Sequence, residues 1–271
     1  SIYQGRYMAG VVAGMKLNEM IAAGDFTAEE AKMGYVGAFT FAEVISGFTS
    51  YYLGAKSVCP SVSMKVQFVG SWSDATEEGN AADALCDLGC VLISQHADTT
   101  GAPTACEAAG VPCVGYNISM IPAAPNSALT SSAVNWAAYY GFAVQNALAG
   151  TTFPADWSAG YVDGAVYVTE LNAANVAAGT AEKVAEVEAA IKAGTLKVFD
   201  VTTFTAPAGA GYTVDAEGRL TNAFATDTDG DWVPDTHEAI VDGAFAESYY
   251  RSAPYFDVEI DGITLLDRNY G

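Results

Sequence analysis

Apolar residues fall into two alternating rhythms along the first half of the chain. The runs KMGYVGAF (32–39), MKVQFVG (64–70), CVLISQ (90–95) and VPCVGYN (111–117) are short and nearly continuous, as buried strands are. Between them the apolar spacing lengthens. Val44, Phe48, Tyr51 and Tyr52 recur at helical intervals over 43–57, and Ala81, Leu85 and Leu88 do so over 75–88. Asp74 and Glu77 have the spacing of a capping box at the start of that second helix. A shorter helix is opened by Pro103 and closed by Gly110. Ahead of all this, residues 1–24 read as an amphipathic helix with Tyr7, Val11, Met15 and Asn18 on one face and Gly24 as its stop. Beyond Pro125 the pattern predicts a strand in SALTSSAVNW, a helix over 136–149, a strand GAVYVTEL (164–171) and a surface helix over 181–194. From about 195 onward Thr, Gly and Asp dominate, and hairpins or extended segments are expected.

Strands alternating with helices at this pace mean βαβ units around a parallel sheet. All strand-to-helix junctions then emerge at one edge, where open α/β sheets bind their ligands. Those junctions are Phe39–Glu43, Ser71–Asp74, His96–Gly101 and Tyr116–Met120. They carry aromatics, amides, a histidine and carboxylates, whereas the opposite loops hold mostly Gly, Ala and Pro. Candidate ligand contacts are therefore Phe39, Glu43, Trp72, His96, Asp98, Tyr116 and Asn117. Trp72 either caps the core or offers a flat stacking face. Asp98 either caps the helix after it or accepts hydrogen bonds from a ligand. The Asn117 amide both donates and accepts, which suits the edge of a heterocycle.

Composition narrows the function. The chain has 271 residues, 51% of them hydrophobic and 16% charged, a mix that folds. Its 32 acidic against 11 basic residues leave a formal charge of −21, which repels nucleic-acid phosphates, so no nucleic-acid partner is expected. No apolar run reaches the ~20 residues of a membrane span. No G-x-S-x-G elbow, P-loop or H-E-x-x-H motif occurs, and the two histidines leave little material for a catalytic triad. The five cysteines, at 59, 86, 90, 106 and 113, show no paired CxxC motifs; they are either buried thiols or include a disulfide among the last four. DTDGDWVPDTHE (227–238) places Asp227, Asp229, Asp231, Asp235 and Glu238 at positions 1, 3, 5, 9 and 12 of an EF-hand-type loop. Trp232 stands where that loop's sharp turn wants glycine, so a lone structural calcium loop or a solvated acidic turn is expected. No organic cofactor is implied.

Read in order, GRYMAGVVAGM, KMGYVGAFTFAEVISGF, LGAKSV, GSWSDATEEGNAA, LISQHADTTGAP and GVPCVGYN resemble the basic membrane protein (BMP) family. These are substrate-binding proteins of bacterial ABC transporters, similar to the purine nucleoside receptor lipoproteins. The resemblance runs through about residues 1–150 and more loosely to RSAPYFDVEIDGI near the C-terminus. It implies a type I periplasmic-binding-protein fold, with doubly wound parallel-sheet lobes closing on a purine nucleoside or nucleobase. By position, Trp72 matches the family's base-stacking aromatic, and Asp98, Tyr116 and Asn117 match ligand-contacting loops. Asn117 stands where the nucleoside binders carry a ribose-gripping aspartate, which shifts the expectation toward a nucleobase.

The family also has a segment ahead of the GRYMAG helix that builds most of the first lobe, so one lobe is expected to be incomplete in this chain. Residues 1–136 would form the ligand-binding lobe, and 137–271 would return to the other lobe, with GAVYVTEL adding to its sheet. Implied partners are an ABC permease and either a separate N-terminal lobe polypeptide or a second copy of the chain. The implied location is extracytoplasmic, on the cell membrane through a lipid anchor absent from this sequence. Two other readings remain: an enzyme pairing His96 with Asp98 as acid and base, and a calcium-stabilised surface protein with a vestigial pocket.

Overall fold

The computed structural model describes residues 1–225 and 237–267. Helix α1 (Ile2–Ala23) leads through a short 3-10 turn into β1 (Lys32–Gly37), α2 (Ala42–Val58), β2 (Ser63–Phe68), α3 (Ala75–Asp87), β3 (Leu92–Gln95), α4 (Gly101–Ala109) and β4 (Cys113–Tyr116). Then come β5 (Ala128–Val134), α5 (Trp136–Ala149), β6 (Val166–Val168) and α6 (Thr180–Lys192). The expected alternation is thus present, with boundaries close to those predicted. The C-terminal part is built from short strands: β7 (Tyr212–Val214), β8 (Leu220–Ala225), β9 (His237–Glu238), β10 (Ile240–Val241), β11 (Ala244–Phe245) and β12 (Ile263–Leu265).

The central sheet has the order β12-β2-β1-β3-β4-β5-β6, parallel except for β6, which runs antiparallel to β5. Helices cover both faces. One core joins α1 and α2 through Met8, Val12, Phe48 and Tyr51, and the other joins α3 and α4 through Ala81, Leu85, Ala102 and Cys106. The sheet is therefore doubly wound. From β1 the chain steps to β2 on one side and then to β3 on the other, so a topological switch point lies between β1 and β3.

Several details differ from the expectation. The N-terminal half of α1 is buried all round, every residue from Gly5 to Gly14 included, rather than on one amphipathic face. Its packing against α2 is the reason: a Cβ on Gly10 would lie 1.9 Å from the Tyr51 carbonyl oxygen, and one on Gly54 1.9 Å from that of Tyr7. Only glycine lets the two backbones approach so closely. At α3, Asp74 accepts from the Thr76 and Glu77 N–H groups as a cap should, but Glu78 rather than Glu77 accepts from the Asp74 N–H in return. All five cysteines are free thiols, with Cys59, Cys90, Cys106 and Cys113 buried, so the disulfide reading is not realised.

The strand expected at 164–171 does not join a different sheet. Val166–Val168 pairs with β5, Thr169 and Asn172 bond to the backbone of Ser131 and Leu129, and Val166 packs where a Gly5 side chain would otherwise stand. β5 would otherwise have an open edge, and this pairing satisfies it. At the far edge β12 adds in parallel beside β2, so elements after 137 extend the same sheet as β1–β4 at both ends.

Candidate functional site

The loops after β1, β2, β3 and β4 gather at one sheet edge and are tied together by backbone hydrogen bonds. Gly70 N–H donates to Ala38 O (2.8 Å), His96 N–H to Val36 O (2.8 Å), Asp98 N–H to Trp72 O (2.7 Å) and Asn117 N–H to Ser132 O (2.8 Å). The Glu78 carboxylate, fully buried, bolts two of these loops together. It accepts from the Asp74 N–H on one side and from the Thr99 N–H and hydroxyl on the other. Burial, the largest influence on it, pushes its carboxyl above the usual range. Gln95 secures the loop after β3 by donating to the Ala97 and Thr99 carbonyls.

On this frame the aromatics form a half-exposed shelf. Trp72 contacts Phe39 (centroids 5.4 Å apart), Phe41 (6.4 Å) and His96 (6.0 Å), and His96 contacts Tyr116 at 5.0 Å. Phe39 and Phe41 stack on each other at 5.1 Å. Trp72 packs against the main hydrophobic core with part of its surface left open. The polar groups around it are acceptor-rich. Glu43 has a side chain 44% exposed, and Asp98 and Asn117 are exposed, with the Asn117 amide 3.5 Å from the Asp98 carboxylate. Asn117 sits at φ 64°, a left-handed conformation that asparagine tolerates better than most residues.

All seven predicted contacts, Phe39, Glu43, Trp72, His96, Asp98, Tyr116 and Asn117, therefore converge on one edge, with the capping reading of Asp98 set aside and His96 buried. Asp98 does not cap α4, whose first-turn Gly101 N–H bonds instead to the Thr99 hydroxyl. His96 is fully buried beneath the shelf, with its Nδ1 3.2 Å from the Tyr35 hydroxyl and its Nε2 3.7 Å from Glu43. Burial first, and then the nearby Arg6 charge, push the imidazole down to about 4. Which of the His96 Nδ1 and the Tyr35 hydroxyl donates follows the ring's tautomer, and the buried Nε2, at 3.7 Å from Glu43, has no hydrogen-bond partner. Glu43 is lowered in turn, chiefly by the facing His96, against the opposing effect of burial. The acid/base pair of His96 with Asp98 is not formed, since Asp98 turns to Asn117.

Sequence reasoning missed Arg6 and Glu78. Arg6 is 1% exposed; its Nη1 donates to Gln95 O at 2.7 Å, and its guanidinium carbon lies 3.8 Å from the Tyr116 ring centre. A signal existed, because Arg6 is the one charged residue in the first fifteen. A cavity of about 500 Å³ adjoins the shelf and shares Glu43 and Tyr116 with it, lined further by Tyr3, Trp136, Tyr139 and Trp157.

Of the predicted calcium ligands, Asp227, Asp229, Asp231 and Asp235 lie outside the described residues. Glu238 accepts from the Asn222 amide and from the Ala223 and Ile240 N–H groups. Among the described residues no cluster of three or more His, Cys, Asp or Glu is placed to hold a metal, and no helix is long and apolar enough to cross a membrane.

Comparison with known proteins points the same way. The model of the Bmp family, described as ABC transporter substrate-binding protein PnrA-like, matches residues 1–198. A purine-binding protein of Brucella abortus (strain 2308) is 34% identical over 197 residues, covering 73% of this chain and 53% of that protein. A putative ABC transporter glucose-binding protein of Haloferax volcanii is 36% identical over 140 residues, covering 52% of this chain and 33% of that one. The chain thus spans about half the length of the first relative and a third of the second. Among solved structures, an ABC transporter solute-binding protein from Aeropyrum pernix K1 aligns with a TM-score of 0.60 at 15% identity, over 77% of this chain and 65% of that one. Another from Conexibacter woesei DSM 14684 aligns at 0.54 and 20%, over 73% and 63%. Identities this low speak to the fold alone, and they support the type I periplasmic-binding-protein class.

Proposed function

The chain belongs to the Bmp family of ABC transporter substrate-binding proteins, and on that premise we propose that it binds a purine nucleoside or nucleobase at the Trp72 shelf and delivers it, outside the cytoplasmic membrane, to an ABC permease. Membrane attachment through a lipid anchor belongs to the same reading. The observation that carries it is a half-exposed tryptophan at the switch-point edge, held by Phe39 and His96 and ringed by Glu43, Asp98 and Asn117. A flat base stacks on such a ring, and acceptor groups take up the donors on its rim. Two carboxylates also disfavour a phosphorylated ligand, so the base or nucleoside is preferred over the nucleotide. The name of the Brucella relative supports the purine.

A sugar is the second reading, favoured by the name of the Haloferax relative and by the same chemistry, since carboxylates and an amide beside an aromatic face also suit sugar hydroxyls. Titration calorimetry with adenosine, hypoxanthine and D-glucose decides between them. The expected result is purine binding that Trp72→Ala weakens by roughly 1–3 kcal/mol while the fold survives. Heat from glucose and none from either purine would move the assignment to the sugar. Unchanged purine affinity in the variant would return Trp72 to packing.

A further inference from the structure

Arg6 is at odds with its surroundings. It sits in a buried, glycine- and alanine-rich stretch of α1, and the residue is only 1% exposed. Taking such a group out of water costs stability unless its donors are satisfied, and an apolar side chain of similar size would pack there at less cost. Yet of its three nitrogens only Nη1 has a hydrogen-bond partner, while Nε and Nη2 have none. Stability is therefore a poor account of this residue.

Its position offers a better one. The accepting carbonyl belongs to Gln95, the last residue of β3 and the neighbour of His96. The guanidinium carbon lies over the ring of Tyr116, at the end of β4, which walls the shelf beside His96. A second ring, Tyr35 of β1, lies 5.9 Å away. Arg6 thus contacts the last residues of β3 and β4 and faces the Tyr35 ring of β1 under the ligand edge. Burial, the larger influence, raises Asp98 and the Arg6 charge opposes it, while Glu43 is lowered first by His96 and only in lesser part by Arg6. Glu43 also faces the His96 ring, and Asp98 the Asn117 amide.

We propose that Arg6 is a positioning residue for the ligand shelf: its guanidinium, held between the Gln95 carbonyl and the Tyr116 ring, sets the orientation of that ring and places a fixed positive charge under the ligand edge, without touching the ligand. A guanidinium suits the site better than an ammonium, which can supply the charge but lacks the delocalised cation that packs over an aromatic ring and the fork of donors.

The inference rests on the purine reading, so one arm of the test is free of ligand. In that arm the His96 ring is titrated by NMR in the wild type, Arg6→Met and Arg6→Lys. In the other, adenosine is titrated into the same three proteins by calorimetry. Arg6→Met is expected to raise the His96 midpoint from about 4 and to weaken adenosine by roughly tenfold or more. Arg6→Lys should keep the midpoint near the wild-type value and still weaken adenosine several-fold. A folded Arg6→Met protein with both quantities unchanged overturns the proposal, leaving a structural tie between α1 and the sheet. Should Arg6→Met fail to fold, wild-type adenosine affinity in Arg6→Lys overturns it equally. If the wild type itself binds no adenosine, the ligand reading fails, while the His96 titration still judges Arg6.

Discussion

Helices α1 and α5 are both apolar, and the structure treats them in opposite ways. α1 buries eleven of its 22 residues against α2 and the sheet. α5 buries none of its 14. Trp136 is 60% exposed, Tyr140 62%, Val144 57% and Leu148 84%. The difference lies in how closely a partner can approach. α1 and α2 meet backbone to backbone through Gly10 and Gly54, whereas no element among the described residues covers the outer face of α5. Apolar periodicity thus states that a helix needs a partner, not that the partner is present.

That contrast can be broken most sharply at the glycines. In a free helix Gly→Ala stabilises by about 1 kcal/mol. Gly10→Ala or Gly54→Ala should instead destabilise by about 3 kcal/mol, or abolish folding, because the new methyl meets a backbone carbonyl rather than a movable side chain. Chemical denaturation reads the sign directly, and a gain in stability would mean that the helices part more easily than their packing implies.

The densely packed side should also reveal itself through pH. The His96 ring fits against Gly47 of α2, where a Cβ would come within 2.7 Å of it. Its folded-state value of about 4 lies below the ordinary 6.5, so the stability it contributes is fully present above pH 6.5 and is lost as the pH falls toward 4. The loss amounts to about 3 kcal/mol at the acid end. Glu247, pushed up to about 7 mainly by burial, runs the other way and loses its contribution as the pH rises from 4.5 to 7. The comparison must therefore be between the wild type and His96→Gln across one pH series. The variant should show a flatter acid limb, and parallel curves would mean that His96 is not buried as a neutral ring.

On the α5 side the expected stability effects are small and the solution effects visible. Tyr140→Glu with Leu148→Glu should alter the unfolding free energy by no more than about 0.5 kcal/mol, since neither side chain is buried. The unmodified chain should associate with rising concentration through this apolar face, either with itself or with a separate lobe polypeptide, and the double variant less so. Light scattering over a concentration series checks it, and a wild type that stays monomeric would show that the exposed stripe drives no association.

Calcium carries the smallest expected shift. Adding it should raise the melting temperature by a few degrees, and Asp231→Ala should cancel the rise. The effect is expected to be small because Glu238, at position 12 of the 227–238 stretch, already accepts hydrogen bonds from Asn222, Ala223 and Ile240. Identical melting curves with calcium and with chelator would leave 227–238 an acidic turn.

Local signals carried much of the architecture in this chain. Short apolar runs separated by helical spacing determined the strands β1–β4 and the helices between them, because the alternation of period is itself a consequence of side-chain direction in the two structures. Chain order then determined that Phe39, Trp72, His96 and Asn117 share an edge, since parallel strands all finish on the same side. Tertiary structure decided what periodicity has no means to record. The 166–168 strand closed the β5 edge instead of joining another sheet, because an unpaired edge is satisfied by whichever strand the fold brings beside it. His96 went under the shelf, paired with Tyr35 and facing Glu43, and Glu78 rather than Glu77 bolted the loops. Arg6 reached the site from a helix ahead of the first strand, 89 residues from the carbonyl that holds it. Such pairings depend on which side chains meet across the sheet, and that is settled by packing in three dimensions, not by spacing along the chain.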